Sequence, residues 1–171
     1  MSLNIQLRSI CESDLPFIYE LYASTREEEL KQTGWDESEK STFLKMQFHL
    51  QHCYYQQIHA GEQFSVIVLD DITIGRFYAA RWVREIRIID IVVLPQYRRQ
   101  GIGRQVLQGI LNEARSNDKI VSLHVETKNP ALSFYRQLGF QVVAVKDFYR
   151  RLEWSAVLPR PRQKQTSMVN N

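Results

Sequence analysis

Residues 86–104 constrain this chain more than any other segment. An apolar, β-branched run, Ile86-Arg-Ile-Ile-Asp-Ile-Val-Val-Leu94, stops at Pro95. It is followed by Gln-Tyr-Arg-Arg-Gln-Gly101-Ile-Gly103-Arg104 and then by helix-forming sequence to about Ser116. Such a run reads as a buried strand, because branched side chains pack well on a pleated surface. A glycine pair between strand and helix leaves the first N–H groups of the helix without intrahelical acceptors and with no side chain in front of them. Their partial positive charge favours an anion. Arg98, Arg99 and Arg104 add formal charge around the same loop. A pyrophosphate cradle and an ordinary helix cap with two incidental glycines are both consistent with these residues.

The rest of the chain alternates between strand and helix patterns. Leu3 to Arg8 alternates apolar and polar residues, as a half-buried strand does. Ser13 or Asp14 is expected to cap a helix with Pro16 in its first turn, ending near Gly34. Asp36 or Ser38 should cap a second helix that reaches about Ala60 and stops at Gly61. Strands are expected over 64–69, 72–82 and 85–94, then a helix over 101–116 and a strand over 120–126. A short helix over 130–138 and strands over 140–145 and 148–154 follow. The order β-α-α-β-β-β-α-β-α-β-β implies one α/β domain with a mixed sheet, over residues 1–156. The remaining residues, 157–171, form a basic, proline-punctuated segment expected to be disordered.

Composition narrows the class further. At 171 residues with 44% hydrophobic and 24% charged residues, the chain can bury a core without disulfide or metal staples. No apolar run approaches the roughly 18 residues of a membrane span. The first residues, Met-Ser-Leu-Asn-Ile-Gln-Leu-Arg, lack a basic region followed by an apolar core, so no secretory leader and no membrane partner is expected. Arg160, Arg162 and Lys164 account for the whole net charge of +3. The folded part is therefore formally neutral, which argues against a nucleic-acid partner. Cys11 and Cys53 show no paired spacing and suit a reducing, cytoplasmic setting. His49, His52, Cys53 and His59 have ligand-like spacing, but they sit among Phe48, Leu50, Tyr54, Tyr55 and Ile58, as in ordinary helix packing. No metal is expected.

Phosphate loops can be compared by their spacing. The P-loop ending Gly-Lys-Ser/Thr is absent. The dinucleotide fingerprint fails at its third glycine, where Val106 stands. What matches is Arg98-x-x-Gly101-x-Gly103 after a strand and Pro95, with Asn129-Pro-Ala-Leu-Ser-Phe-Tyr135-Arg-Gln-Leu-Gly-Phe140 further on. These two blocks, in this order and spacing, resemble the Gcn5-related N-acetyltransferase (GNAT) superfamily over Ile86 to about Phe148. The segment from Leu3 to Gly75 carries no motif that names a substrate.

The resemblance implies a mostly antiparallel central sheet flanked by helices, with a splayed parallel strand pair that binds acyl-CoA. It implies acetyl-CoA as cosubstrate. Backbone groups of Ile91, Val92 and Val93 would hold the pantetheine and polarise the thioester. Arg98, Arg99, Gln100, Gly101, Ile102, Gly103 and Arg104 would form the pyrophosphate loop, with Asn129 as a further contact. In many relatives this asparagine stands seven residues before the tyrosine; here it stands six before, and Lys128 holds the other position. Tyr135 corresponds to the residue that protonates the departing thiolate and also lies against the coenzyme. His124, Glu126 and Asp90 are candidates for accepting the amine proton, and the sequence does not choose among them. The structural alternatives are a core aromatic for Tyr135, a satisfied strand-edge group for His124 or Glu126, and a pair with an arginine for Asp90.

Glu27, Glu28 and Glu29 close the first helix where relatives place the substrate-gating segment. Glu28 and Glu29 would form an acidic rim for a cationic acceptor. Arg76, Arg81, Arg84 and Arg87 are expected either to touch the CoA 3′-phosphate or to solvate the sheet edge. The expected activity is acetyl transfer to a primary amine by direct attack in a ternary complex, the acceptor being a small molecule or a peptide. A non-catalytic CoA-binding sensor of the same fold is the alternative. A homodimer is left open.

Overall fold

Among the described residues, seven strands and four helices follow the chain order read from the sequence. They are β1 (Ile5–Ser9), α1 (Leu15–Lys31), α2 (Glu37–Ile58), β2 (Gln63–Leu69), β3 (Ile72–Arg81), β4 (Glu85–Val93), α3 (Ile102–Ser116), β5 (Ile120–Glu126), α4 (Leu132–Gln137), β6 (Gln141–Lys146) and β7 (Tyr149–Trp154). The computed structural model describes residues 2–58 and 63–157. Gly61 as the stop of the second helix, His59, and the basic segment beyond Val157 lie outside the described residues. Among the described residues, no helix is long and apolar enough to cross a membrane.

The strands form one sheet in the order β1-β2-β3-β4-β5-β7-β6. Every neighbouring pair is antiparallel except β4 and β5, which run parallel. The main core lies on the sheet face covered by α3 and α4. Ile102, Val106, Leu107, Ile110, Leu111 and Ala114 repeat at helical spacing along α3 and are all buried there. They meet Ile86 and Ile88 of β4 and Val121, Leu123 and Val125 of β5. A smaller cluster of Tyr22, Leu30 and Leu44 joins α1 to α2.

The helix ends differ in part from expectation. Asp36 does cap α2: its Oδ1 accepts the Glu39 N–H, and Glu39 Oε2 accepts the Asp36 N–H, both at 2.9 Å. Asp14 stands at the N-cap of α1, as expected, but its side chain makes no cap bond to the helix. Asp14 closes the preceding 3₁₀ turn (Glu12–Asp14), accepting the Cys11 N–H at 2.9 Å, and it holds Arg8 of β1 at 2.7 and 3.0 Å. A local carboxylate acceptor and a nearby guanidinium outweigh the generic cap. Gly34 adopts a φ of +72° three residues beyond the end of α1.

Candidate active site

β4 and β5 are paired only at Glu85↔Ile120, Ile86↔Val121 and Arg87↔Ser122. Beyond Arg87 each strand follows its other neighbour, so a cleft opens between them. β5 stays with β7 from Val121↔Trp154 to Glu126↔Tyr149. β4 stays with β3 but carries a bulge: Ala79 faces Ile88, Tyr78 faces Asp90, and Ile89 has no opposite residue. A bulge turns a strand and increases its local twist. The cleft is therefore a consequence of register.

The loop beyond β4 is built for close approach by an anion. A 3₁₀ turn (Pro95–Tyr97) leads into Arg99 at φ +63° and Gly101 at φ +84°. Two left-handed residues flanking Gln100 gather N–H groups toward one side, which is an anion-binding concavity. The first intrahelical bond of α3 runs from Gln105 N–H to Gly101 C=O, so the N–H groups of Ile102, Gly103 and Arg104 have no intrahelical acceptor. A Cβ on Gly103 would make only an ordinary contact with Phe134, at 3.9 Å. Packing does not require that glycine, whereas the dihedral does require the glycine at 101.

Three side chains of the loop are held by protein groups. Arg98 Nε donates to the Val93 carbonyl at 2.9 Å, Gln100 Nε2 donates to the Gln96 carbonyl at 2.9 Å, and Arg104 donates to Gln137 at 3.1 Å. Asn129 is likewise engaged: its Oδ1 accepts the Ala131 N–H at 2.8 Å in the turn before α4. That turn is why α4 begins at Leu132, two residues later than its sequence suggests.

Tyr135 lies on α4, buried in the core beside the cleft, edge-on to Phe140 at 5.8 Å. Gly139, at φ +97°, closes the helix behind it; the Phe140 and Gly139 N–H groups donate to the Tyr135 and Arg136 carbonyls at 3.1 and 3.0 Å. Burial and the nearby Asp90 carboxylate push the Tyr135 phenol above its ordinary value. Asp90 is paired: Arg76 Nε and an Nη both reach its Oδ2, at 2.8 and 2.5 Å.

His124 and Glu126 are exposed on the opposite face of β5 from Leu123 and Val125. His124 faces an open groove of about 530 Å³ lined also by Ala144, Lys146, Asp147, Tyr149 and Arg151. Next to it lies a charged cluster. Glu85 Oε1 meets Arg87 and Arg151, each at 3.1 Å, and accepts the Ser122 hydroxyl; Arg151 also holds Glu153 at 2.8 Å. Desolvation, then the cations of Arg87 and Arg151, push His124 below the usual histidine value, with Glu85 opposing. Removing one cation should reverse part of that effect. Arg151→Gln is expected to raise the His124 pKa, read by NMR titration of the imidazole. An unchanged value would show that the cluster does not tune this ring.

Asp90 of β4 stands near enough to Tyr135 to act on its phenol, whereas His124 and Glu126 lie on the other face of β5, His124 beside Arg87, Arg151 and Glu85. Glu28 and Glu29 are not joined to the cleft by the contacts they make: Glu28 holds Lys31 at 2.7 Å and Glu29 holds Arg26 at 2.8 Å, on the solvent face of α1. Among the sheet arginines, Arg76 corrects an expectation. Arg76 is buried against Asp90, Arg81 is paired with Glu113 of α3 at 2.7 Å, and Arg87 is paired with Glu85. Arg76 forms an internal ion pair, since an unpaired buried cation would be costly, while the Arg81 and Arg87 pairs are partly exposed. Among the described residues, no group of three His, Cys, Asp or Glu is placed to hold a metal ion.

The family model described as acetyltransferase (GNAT) domain matches residues 24–161. The chain belongs to this family. Over 108 residues this GNAT domain is 32% identical to the probable N-acetyltransferase san of Drosophila melanogaster, covering 58% of this chain and 59% of that protein. It is 29% identical to N-alpha-acetyltransferase 50 of Danio rerio, covering 58% and 64%. The match thus spans about three-fifths of the length of these curated relatives. Solved GNAT folds superpose along almost the whole chain. The PaiA N-acetyltransferase of Thermoplasma acidophilum, solved with coenzyme A, gives a TM-score of 0.65 at 18% identity, over 91% of this chain and 99% of that one. The ribosomal-protein-S18-alanine N-acetyltransferase of Escherichia coli gives 0.59 at 18% identity, over 92% and 97%.

Proposed function

We propose that this domain is an acetyl-CoA-dependent N-acetyltransferase that acts on a primary amine by direct transfer in a ternary complex. The observation that carries this is the opening of β4 from β5 beyond Arg87, in line with the glycine loop that begins α3. The residues suit acetyl-CoA: a concavity of N–H groups for a pyrophosphate, an unpaired β4 edge for an amide-bearing arm, and a buried phenol for a thiolate. When bound, acetyl-CoA supplies an activated acyl group and a good leaving thiol. Backbone N–H groups of Ile91 to Val93 would act on the carbonyl as fixed donors at the point where negative charge develops.

Tyr135 would donate its proton to the departing sulfur, since its raised phenol stays protonated across the physiological range. His124, held neutral by desolvation and its two arginine neighbours, would take the proton of the arriving ammonium from the opposite face, directly or through water. Asp90 and Glu126 would orient the amine or that water. The relatives named N-alpha-acetyltransferases support the α-amine of a peptide as the acceptor class. Neither cysteine supports an acyl-enzyme route: Cys11 lies beside Asp14 before α1, and Cys53 lies beside His49 on α2.

Calorimetric titration with acetyl-CoA, with NADH as control, tests the proposal. Binding at micromolar concentration is expected, with none for NADH. Gly101→Glu should abolish it, because the new residue must adopt φ +84° and brings a carboxylate to the phosphate site. Absence of acetyl-CoA binding by the natural chain would overturn the proposal.

A further inference from the structure

Arg76 is a central β3 residue with a charged side chain, yet only 4% of it is exposed. Its guanidinium spends two donors on one oxygen of Asp90 and stands 5.3 Å from the Tyr78 ring centroid. The residue opposite Arg76 is Val92, so the guanidinium reaches back two places along β4 to the residue that follows the bulge. Replacing a buried ion pair by apolar residues of similar size is often neutral or stabilising, so stability alone does not explain this one. Register does. Without the bulge, β4 would slip by one residue and Asp90 would face Phe77 in place of Tyr78. Phe77 belongs to the apolar core under α3, where a carboxylate is costly. The pair with Arg76 exists only in the bulged register.

The other end of the same stretch is also tied, by Arg98 Nε on the Val93 carbonyl. Residues 89–93 are thus pinned at Asp90 from β3 and at Val93 from the loop. We propose that Arg76 is a positioning residue: through Asp90 it locks the bulged register of β4 and so aims the backbone groups of Ile91 to Val93 at the thioester. This inference rests on the acetyltransferase proposal.

The test compares Arg76→Met and Arg76→Lys with the natural chain by three measurements: acetyl-CoA affinity, kcat against KM for acetyl transfer to a peptide amine, and hydrogen exchange of the β4 amides. Arg76→Met is expected to keep acetyl-CoA affinity within about threefold through the intact loop, while kcat falls about thirtyfold from misplacement of the donors. Exchange at residues 89–93 should quicken at least tenfold while α3 amides hold. Arg76→Lys keeps the charge but loses the two-donor grip, and should recover most of kcat. Wild-type kcat and β4 exchange in a folded Arg76→Met protein would overturn the inference, as would equal losses in affinity and kcat that track a lowered Tm. If Arg76→Met does not fold, Arg76→Gln, which removes the charge, decides: a lowered kcat together with quickened exchange at residues 89–93 supports the inference, and wild-type values of both overturn it. A natural chain that binds no acetyl-CoA overturns the acetyltransferase proposal instead, and the exchange comparison still decides whether Arg76 holds the bulge.

Discussion

Tyr135→Phe is expected to lower kcat by about a hundredfold while leaving acetyl-CoA affinity unchanged, the scale on which a positioned general acid acts. The change removes one hydroxyl and little else. The ring lies between Phe134, with centroids 5.4 Å apart, and Phe140, at 5.8 Å, and phenylalanine keeps both contacts. Near-isosteric replacement in such a site costs about 1 kcal/mol or less, so the protein stays folded and the kinetic effect is not masked. The pH dependence adds a second readout. Burial and the Asp90 carboxylate both disfavour the phenolate, so the proton is retained to a pH above the ordinary tyrosine value of about 10. The kcat of the natural chain should therefore show no alkaline fall from this group below that pH. Thiol release under saturating acetyl-CoA gives kcat, and calorimetry gives the affinity. A phenylalanine variant with undiminished kcat would make Tyr135 a packing residue.

Much of this site can be read from the sequence because its parts are local. Gly101 answers a dihedral, Gly139 answers the end of α4, and the apolar stripe of α3 answers the core it faces. The two glycines answer neighbours a few residues away, and the stripe shows itself by its helical period before its partners are known. The features that escape are those set by pairing. Whether Ile89 has an opposite residue depends on β3 and β4 together, and a bulge has no signature in either strand alone. Arg76 consequently looks like a surface or phosphate-binding cation, although its partner Asp90 is itself conspicuous as a lone acid in an apolar run. The Glu85–Arg87–Ser122–Arg151 cluster is hidden for the same reason, since it joins β4, β5 and β7, whose adjacency includes a strand order, β5-β7-β6, that chain order does not reveal. Asn129 is placed correctly before α4, but its carbonyl oxygen is spent on the turn. A motif fixes where a residue stands and leaves open which atom is used.

Gly75→Ala is expected to cost both stability and acetyl-CoA affinity, because a side chain there has no room against the cleft-forming part of β4. Gly75 faces Val93 across the β3–β4 ladder, and just beyond it the Leu94 N–H donates to the Ile74 carbonyl at 2.9 Å, which fixes the strand spacing. A methyl group there would collide with the Val92 carbonyl oxygen and stand 3.2 Å from both Val93 Cα and Ile67 Cδ1. Two of these three obstacles are backbone and cannot turn aside. Either β4 moves outward, displacing Val92 and Val93, or the ladder breaks locally. Overpacking of this kind costs about 1–3 kcal/mol, which in a domain of this size lowers Tm by several degrees, at roughly 2–4 °C per kcal/mol. Displacement of Val92 and Val93 should also weaken acetyl-CoA binding by about tenfold, or about 1.4 kcal/mol. Gly109→Ala supplies the contrast: it lies inside α3, a Cβ there meets nothing within 4 Å, and alanine in a helix interior is expected to raise stability by about 0.5–1 kcal/mol. Thermal unfolding and calorimetry of the two variants side by side check both expectations. A Gly75→Ala protein with the Tm and affinity of the natural chain would mean that β4 yields at no cost, and that the cleft does not depend on this close approach of the strands.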